Sequence, residues 1–461
     1  MNKDNKPKIT FCSGAGSVTG ANFLIEFPDR DGYKKILVDC GMLQGSSLAD
    51  EENWEKFPYD PLEIDYLVVT HSHIDHVGRI PKLVYEGFRG EIYSTIPSKD
   101  IAQIMLEDTN VILGKVHDKE IDKIYTEKTL RGVMALWKTA DYHQEVKITD
   151  RLSFYFKDAG HILGSAMITF VFDGKKIVFT GDLGNSPSPI LKDTEALAKD
   201  IDYLIMESVY GDRNHEDRAE RKKKLEKVIE DTYTRGGILV IPTFSLERSQ
   251  ELLFEINDFV ENKRIPSMPI YLDSPLAIRL TSVYSRYSKY FKDSVKDLIA
   301  SGDDIFMFKG LQKTLETRES KQILKHNGPK IILAGSGMSS GGRVIHHEKN
   351  YLPNPKNTLL LIGYQSEGTL GREIENGAKK INILGEEVPV KAKIEKISGY
   401  SGHKDSDGLF KFVSEGADNL KKVFVVMGEP GSSLHLVQRL RDNLAIDAVA
   451  PDKGETFMLE L

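Results

Sequence analysis

Three histidines and an aspartate lie within six residues of one another, directly after an apolar run with the length of a β-strand. The run covers residues 66–70, and His71, His73, Asp75 and His76 follow it. Imidazole and carboxylate groups are the ligands that zinc and similar divalent ions take in proteins. Residues 71 and 73 are two apart in extended backbone and point the same way, whereas Asp75 and His76 turn back and can serve a second ion. The spacing therefore predicts a metal centre at the end of this strand, in preference to a solvated polar turn.

The pattern of apolar residues predicts an α/β protein. The chain has 461 residues, enough for roughly three domains or fewer. Short β-runs separated by glycines fill the first 206 residues, with helical stretches at 99–113 and 127–137. From about residue 209 longer helices and strands alternate, including a helix over 275–292, and this rhythm is typical of a separate domain with a parallel sheet, ending near residue 382. The last 80 residues return to short strands, followed by a helix at 434–444.

Cysteine usage and hydropathy exclude several protein classes. The only cysteines are Cys12 and Cys40, without the CxxC spacing of a zinc site, so a disulfide framework and a cysteine zinc site are excluded. The first seven residues are polar, and no apolar run approaches the roughly 18 residues of a membrane-spanning helix. We therefore expect a cytoplasmic protein with no membrane partner.

The histidine cluster resembles the HxHxDH signature of the metallo-β-lactamase superfamily, and further motifs of that superfamily follow in order. They are Asp39 after a strand, His161 between two glycines, and Asp182 in a Thr-Gly-Asp sequence. The resemblance implies an αββα sandwich with the metals at one edge. It implies that His161 completes a three-histidine site with His71 and His73. Asp182 would bridge two ions, and Asp39 would orient a ligand without binding metal.

The middle of the chain resembles the β-CASP nucleases, the RNA-processing branch of this superfamily. The matching segments are residues 206–211, 241–252, 272–277, 335–343 and 363–371. The resemblance covers the chain from about residue 8 to its end and implies three segments. These are residues 1–208 as the first part of the metallo-β-lactamase core, 209–382 as the inserted β-CASP domain, and 383–461 as the part that completes the core.

The same resemblance implies the reaction and its partners. The expected activity is metal-dependent hydrolysis of phosphodiester bonds in single-stranded RNA, by internal cleavage, from the 5′ end, or both. Single-stranded DNA is the alternative substrate. Two divalent ions are expected, Zn²⁺ with Mn²⁺ as the alternative, together with a homodimer.

The β-CASP resemblance also assigns catalytic residues. Glu207 and His403 match an acidic residue that opens the insert and a histidine that follows it. The glutamate can orient the imidazole, which then protonates the departing ribose oxygen. Asp75 or Asp182 would position the nucleophile.

One position departs from the family pattern. Met427 stands where the family has a histidine in a His-Gly-Glu sequence. RNA-directed members usually keep that histidine, and DNA-directed relatives tend to carry an aliphatic residue there. A thioether is a poor zinc ligand beside an imidazole, so the second metal site is expected to be weaker or completed by solvent. His435 lies eight residues further on, in a predicted helix, and is not expected to substitute.

A glycine- and serine-rich loop is the candidate for binding phosphate. Clustered backbone N–H and hydroxyl groups suit phosphate oxygens, although such a loop can also be a mobile connection after a strand. The candidate substrate contacts are Arg248, Ser274, Ser336, Gly337, Ser339, Ser340, Gly341 and Arg343. The basic run 221–224 is interpreted as a solvated helix face, and the adjacent His346 and His347 are not expected to share a metal.

Charge does not contradict an RNA partner. The chain has 62 Lys and Arg residues against 69 Asp and Glu residues, a formal net charge of −7. However, residues 209–382 contain 28 basic and 23 acidic residues, whereas the remainder contains 34 basic and 46 acidic ones. A mildly basic insert predicts local, salt-sensitive capture of RNA and not strong non-specific binding.

Two other functions stay open from the sequence. One is a hydrolase for a small thioester or lactone on the same metal core, which a long insert with a phosphate-type loop disfavours. The other is a non-catalytic or weakly active RNA-binding protein of the β-CASP family. Because only the last ligand position is changed, the retained ligands disfavour this second alternative.

Overall fold

The computed structural model describes residues 6–30, 32–45, 51–115, 118, 121–216, 218–363, 365 and 368–460. Within these residues the chain forms two compact units. The first unit comprises Met1–Ser188, Lys192–Asn214 and His403–Leu461, and the second comprises Pro189–Leu191 and His215–Gly402. Of the segment 363–371, Tyr364, Ser366 and Glu367 lie outside the described residues, as do residues 1–5 of the polar start.

The first unit is built from two mixed β-sheets that pack face to face. In the described residues the first sheet has seven strands, in the spatial order Thr456–Met458, Lys8–Ser13, Asn22–Asp29, Gly32–Val38, Tyr66–Val68, Glu91–Ser94 and Trp137–Thr139. The second sheet, counted over the same part of the chain, also has seven, in the order Ala448–Val449, Lys422–Val426, Tyr203–Glu207, Lys175–Phe179, Ala166–Phe172, Leu152–Asp158 and Val146–Lys147. Aromatic side chains from both sheets, among them Phe11, Phe23, Phe154, Phe170 and Phe179, are buried together between them.

Helices cover the outer faces of these two sheets. Leu83 packs with Leu67 outside the first sheet, and Leu436 packs with Val425 outside the second, because each helix turns its apolar face towards a strand. The helices are Ile74–Val77, Ile80–Tyr85, Ile96–Leu113, Ile121–Ile124, Glu127–Leu136, Ser406–Ser414 and Pro430–Leu444, with 3-10 turns at Pro61–Glu63 and Ala417–Asn419. The layers run helix, sheet, sheet, helix, and the predicted αββα sandwich is confirmed.

The second unit contains the parallel sheet that the alternation of helices and strands predicts. Its six strands, counted over the described residues, follow the order Leu311–Lys313, Ile270–Asp273, Lys330–Ala334, Ile238–Pro242, Thr358–Leu361 and Lys393–Lys396, and every pair is parallel. Lys380–Ile383 and Glu386–Pro389 form a separate hairpin. The helices are Arg218–Thr234, Arg248–Glu261, Pro275–Arg286, Asp293–Ala300, Thr317–Ile323, Val344–Tyr351 and Leu370–Glu375, with 3-10 turns at Ser288–Tyr290 and Ser398–Tyr400.

The strand Lys393–Lys396 extends the second unit beyond residue 382. It pairs with Thr358–Leu361 at the edge of the parallel sheet, so its backbone hydrogen bonds belong to that sheet. The domain boundaries at residues 208/209 and 382/383 stay predictions.

Several predicted helices differ from the structure at their ends. The helix predicted over 99–113 begins at Ile96, and the one predicted over 127–137 ends at Leu136. The helix predicted over 275–292 ends at Arg286, and a 3-10 turn follows at Ser288–Tyr290. Beyond that turn Phe291 is extended and buries its ring beside Tyr284 and Phe306. The helix predicted over 434–444 begins at Pro430, and proline is well suited to the first turn of a helix. Within the described chain, no helix combines the length and the hydropathy that crossing a bilayer requires.

Candidate metal centre

The histidine cluster is placed by a strand end and a short helix. Strand Tyr66–Val68 leads into the cluster, and helix Ile74–Val77 begins directly after His73. The turn packs tightly against a neighbouring loop, since a Cβ atom on Gly41 would lie 1.5 Å from the carbonyl oxygen of Asp75. Only glycine permits this close approach of the two backbone segments. The tight packing holds the first turn of the helix at the site.

Four of the predicted metal ligands come together in the first unit. His71, His73, His161 and Asp182 each offer one donor atom, and these atoms all lie within 4.8 Å of one another. Asp182 Oδ2 is 3.3 Å from His71 Nε2 and 3.4 Å from His161 Nε2. Three imidazoles and one carboxylate match the donor set and the coordination number of a zinc site.

The other two predicted ligands lie on the second side of Asp182. His76 Nε2 is 3.4 Å from Asp182 Oδ1 and 4.0 Å from Asp75 Oδ2. The opposite ring nitrogen of His76 is 2.7 Å from Asp39 Oδ2. Asp39 also accepts hydrogen bonds from the backbone N–H and the hydroxyl of Thr70. Asp39 therefore contacts the back of the His76 ring, which is where a carboxylate orients a metal-binding imidazole.

The buried donors of this cluster are suited to a cation. Among the described residues, His76 Nε2 and Asp182 Oδ1 are buried atoms without a hydrogen-bond partner, and such atoms are rare in native proteins. Burial, with the charge of neighbouring imidazoles, lowers the pKa of His73 and of His161 well below the usual range. Neutral imidazole is the form that binds a metal. The residues present therefore fit a divalent ion.

The carboxylates of the cluster require positive charge nearby. Burial alone would lower the pKa of His76, but the carboxylates of Asp182 and Asp39 raise it well above its usual range. Burial alone would raise the pKa of Asp182, but the imidazoles of His76 and His71 lower it well below its usual range. Asp75 differs, because burial raises the pKa of its carboxyl.

Glu207 and His403 form a pair next to these ligands. Glu207 ends strand Tyr203–Glu207, and its Oε1 is 3.2 Å from His403 Nδ1. Oε1 also accepts a hydrogen bond from the backbone N–H of Leu183 at 2.6 Å, which fixes the carboxylate. Glu207, His403 and Asp182 form a second group of close donor atoms, so Asp182 belongs to both groups. Burial alone would lower the pKa of His403, but Glu207 and Asp182 raise it to about 9.

Met427 follows strand Lys422–Val426 and is buried at the same site. Its backbone is in the left-handed region, with φ of 48°, and its N–H donates to the carbonyl of Gly14 at 2.8 Å. The sulfur lies close to Gly14, since a Cβ there would be 2.8 Å from Sδ. Met427 lines a small cavity together with His76, Asp39 and Glu207. Met427, which is predicted to stand in place of a histidine, therefore lies beside His76, a predicted ligand of the second ion.

The two candidate arginines of the second unit are held by internal partners. Arg343 donates to Asp273 Oδ1 at 2.7 Å and to the carbonyls of Thr314 and Leu315, both at 2.8 Å. Arg248 donates to the Glu251 carboxylate and, at 2.9 Å, to a backbone carbonyl. Their predicted role as substrate contacts stays a prediction, and the structure shows both guanidinium groups engaged within the unit.

The glycine- and serine-rich loop connects strand Lys330–Ala334 to helix Val344–Tyr351. Ser336 Oγ accepts from the backbone N–H of Ser340 at 2.9 Å, and Gln365 donates to the carbonyl of Gly337 at 3.1 Å. Ser340 is exposed, and a Cβ on Gly341 would meet open space. The loop is therefore an ordered turn with polar groups at the surface.

Ser274 lies on the neighbouring strand end of the same sheet. Its Oγ caps helix Pro275–Arg286 by accepting from the backbone N–H of Ala277, and it lies 3.2 Å from Ser245 Oγ. A Cβ on Gly335 would lie 3.4 Å from Ser245 Oγ and 3.5 Å from Ser274 Oγ. Ser274 is therefore brought next to the start of the glycine- and serine-rich loop.

Sequence reasoning missed two residues that shape these sites. Thr70 directly precedes the histidine cluster and holds Asp39 with two hydrogen bonds. Asp273 is completely buried and accepts from Arg343, His347, Thr314 and Ser320. Both stand at the carboxyl end of a strand inside a motif segment, and that position is the signal that points to them.

The basic run 221–224 is not uniformly a solvated helix face. That prediction is wrong for Arg221, which is buried, contacts Glu255 at 2.7 Å and lies over the ring of Tyr400. Lys222 and Lys224 form ion pairs at the surface with acidic residues.

Comparison with family models identifies the class that this fold and donor set define. A metallo-beta-lactamase superfamily domain matches residues 28–208. A Beta-Casp domain matches residues 249–374, and a Zn-dependent metallo-hydrolase RNA specificity domain matches residues 387–451. The chain belongs to the β-CASP family of the metallo-β-lactamase superfamily.

Curated relatives match nearly the whole chain. Ribonuclease TTHA0252 from Thermus thermophilus is 37% identical, over 93% of this chain and 95% of the relative. An RNase J-like protein from Methanocaldococcus jannaschii is 33% identical, over 91% of this chain and 93% of the relative. Transcription termination factor FttA from Methanosarcina mazei is 31% identical, over 99% of this chain and 72% of the relative.

A solved structure shares the fold. The crystal structure of a protein of unknown function from Enterococcus faecalis V583 aligns with a TM-score of 0.56 and 12% identity. The alignment covers 98% of this chain and 100% of that structure.

Proposed function

We propose that this protein is a metal-dependent ribonuclease that hydrolyses phosphodiester bonds in single-stranded RNA, internally, from the 5′ end, or both. The observation that carries the proposal is the convergence of two donor groups on one carboxylate. Asp182 belongs to the cluster with three histidines and also to the group with Glu207 and His403. A metal-ligand set and a carboxylate–imidazole pair thus share one residue, as hydrolysis assisted by a metal and a general acid requires. The matched RNA specificity domain supports RNA as the substrate class.

Two divalent ions, Zn²⁺ or alternatively Mn²⁺, are proposed as cofactors. His71, His73, His161 and Asp182 would hold the first ion, and Asp75 and His76 with Asp182 would hold the second. When bound, such ions lower the pKa of water and stabilise negative charge that develops on the phosphate. Asp39 keeps the His76 ring in place through its contact with Nδ1.

The proton for the leaving group would come from His403. Glu207 holds Nδ1 of the ring, so donation to the ribose oxygen would come from Nε2, the opposite nitrogen. The neighbouring carboxylates of Glu207 and Asp182 raise the pKa of His403 to about 9, which favours the protonated ring that a general acid requires. Asp75 or Asp182 would position the nucleophile by accepting its proton in a hydrogen bond.

The loop of the second unit is proposed to contact the RNA backbone. Ser336, Ser340 and Gly341 place hydroxyl and N–H groups at or near its surface. Such groups bind phosphate oxygens without reading the base sequence. Arg343 would act through the loop, because its guanidinium is held by Asp273 and two carbonyls.

Met427→His is expected to strengthen the second metal site. The imidazole replaces a thioether that is a poor partner for zinc, and position 427 lines the cavity that His76 also lines. Metal analysis after dialysis should find about one ion per chain in the wild type and close to two in the variant. Met427→Leu, which keeps the volume and offers no donor, is the control and should match the wild type. Two tightly held ions in the wild type would contradict a weakened site.

The proposed activity is tested with 5′- and 3′-labelled RNA and single-stranded DNA of the same sequence. Zinc- or manganese-loaded protein should release products with 5′-phosphate and 3′-hydroxyl ends from RNA, and chelation should stop the reaction. The two labels separate internal from 5′-end cleavage. Cleavage of a thioester or lactone panel, with RNA left intact, would favour the small-molecule hydrolase. RNA binding without cleavage would favour the non-catalytic alternative.

Light scattering on the same samples tests the expected homodimer.

A further inference from the structure

A buried glutamate lies directly behind the glycine- and serine-rich loop. Glu348 is in helix Val344–Tyr351 and is completely buried. One carboxyl oxygen accepts a hydrogen bond from the hydroxyl of Ser339, which lies in the loop. Among the described residues, the other carboxyl oxygen is buried without a partner. A buried carboxyl group with one hydrogen bond is costly, so it requires an explanation.

Ser339 has a backbone conformation that needs support. Its φ is 56°, in the left-handed region that residues other than glycine adopt at a cost of about 1–3 kcal/mol. Ser339 is buried, and its N–H donates to the carbonyl of Ser336 at 3.2 Å. The neighbouring carbonyl of Met338 accepts from the N–H of Gly371 at 3.2 Å. The hydroxyl bond to Glu348 is therefore one of a few contacts that keep this turn in its conformation.

The helix that carries Glu348 is itself firmly anchored. His347, the preceding residue, has Nε2 2.6 Å from Asp273 Oδ2, and Arg343 at the start of the helix donates to the other oxygen of the same carboxylate. Asp273 is completely buried on strand Ile270–Asp273. Glu348 therefore extends towards the loop from a helix that two contacts to Asp273 hold in place.

We propose that Glu348 is a positioning residue that holds the Gly335–Gly342 loop in its binding conformation through Ser339. This role rests on the proposed function in one respect, namely that the loop contacts the phosphates of RNA. The contact between Glu348 and Ser339 holds the turn whether or not RNA is the ligand. Ser336 and Ser340, on either side of Ser339, are the groups whose placement depends on it.

The protonation state of Glu348 makes the coupling measurable. Burial raises the pKa of its carboxyl to about 7, and the Ser339 hydrogen bond only partly offsets this effect. Two titratable groups lie next to it: His347 precedes it on the helix, and Tyr351 lines the same cavity as Glu348. The other residues that line this cavity, Val240, Leu352, Asn357, Thr358, Leu359 and Ala392, carry no charge. None of these groups is a cause of the shift in the pKa of Glu348, which comes from burial and Ser339. Because the folded-state pKa lies above the unfolded value, the neutral carboxyl stabilises the fold at low pH, and this contribution is lost as the pH rises through about 7.

The test is hydrogen–deuterium exchange of the loop amides in the 461-residue chain. The measured quantity is the protection factor of each amide at pH 6 and at pH 8.5. Glu348→Leu and Ser339→Ala each remove the hydrogen bond and should lower protection across residues 338–341 about tenfold at pH 6. The double variant should lose no more than either single one, since both remove the same contact. Glu348→Gln keeps an acceptor for Ser339 and cannot ionise, so it should match the wild type at pH 6 and exceed it at pH 8.5. Glu373→Gln, at an exposed glutamate of the same unit, is the control and should match the wild type at both pH values.

Kinetics on the labelled RNA add a second readout. Glu348→Leu should raise KM about tenfold and leave kcat within about twofold, because the loop binds the substrate and takes no part in bond cleavage. Unchanged protection in Ser339→Ala and Glu348→Leu would overturn the proposal, even if RNA is cleaved. If protection falls as expected but the wild type cleaves no RNA, the positioning role stands and the proposed function fails. Should Glu348→Leu not fold, Ser339→Ala decides the outcome alone.

Discussion

Asp182→Asn is expected to lower RNA hydrolysis by about a thousandfold or more. The carboxylate belongs to both donor groups. Its Oδ2 is 3.3 Å from His71 Nε2 on the side of the first proposed ion, and its Oδ1 is 3.4 Å from His76 Nε2 on the side of the second. The amide keeps the shape of the side chain but removes the negative charge that a divalent ion requires. Metal content measured after dialysis should fall in parallel with kcat, whereas the circular dichroism spectrum should match that of the wild type, which separates loss of metal from loss of folding.

Asp200→Asn is the matched control for this prediction. Asp200 belongs to the same unit and forms a surface ion pair with Lys176. Because surface ion pairs contribute little to stability, activity and metal content should stay at the wild-type values. Full activity and full metal content in Asp182→Asn would contradict the assignment of Asp182 as a ligand shared by both ions.

His403→Ala is expected to slow RNA hydrolysis by about 10²- to 10⁴-fold while leaving the metal content unchanged. The imidazole is proposed to protonate the leaving ribose oxygen, and alanine cannot replace it. A p-nitrophenyl phosphodiester separates this role from others, because p-nitrophenolate leaves without a proton. On that substrate the variant should approach the wild-type rate.

Glu207→Gln should show the same substrate pattern with a smaller loss. Glutamine can still accept the hydrogen bond from Leu183, but it lacks the charge that raises the pKa of His403. His435→Ala is the control, since His435 is exposed on helix Pro430–Leu444. An equal loss on RNA and on the p-nitrophenyl substrate in His403→Ala would argue against proton donation to the leaving group.

The local parts of the candidate site could be predicted from the sequence. His71, His73, Asp75 and His76 occupy one strand end and the first turn of the next helix, so their proximity follows from backbone geometry alone. The parallel sheet was predictable because helices and strands alternate along residues 209–382. The αββα core was predicted from the resemblance to the metallo-β-lactamase superfamily. Helix ends were less predictable: the helix predicted over 275–292 ends at Arg286, and Phe291 packs its ring beside Tyr284 and Phe306.

The sequence by itself determined which donor residues this chain has, that they stand at strand ends, and that a methionine occupies position 427, where the family resemblance predicts a histidine. Only the tertiary structure decided which charges meet. It placed Glu207 against His403, 196 residues away, and it buried Arg221 against Glu255. It also put Glu348 behind the loop through Ser339. The physical reason is that the strength of an ion pair or hydrogen bond depends on distance and burial, and separation along the chain specifies neither until the sheets and helices have packed.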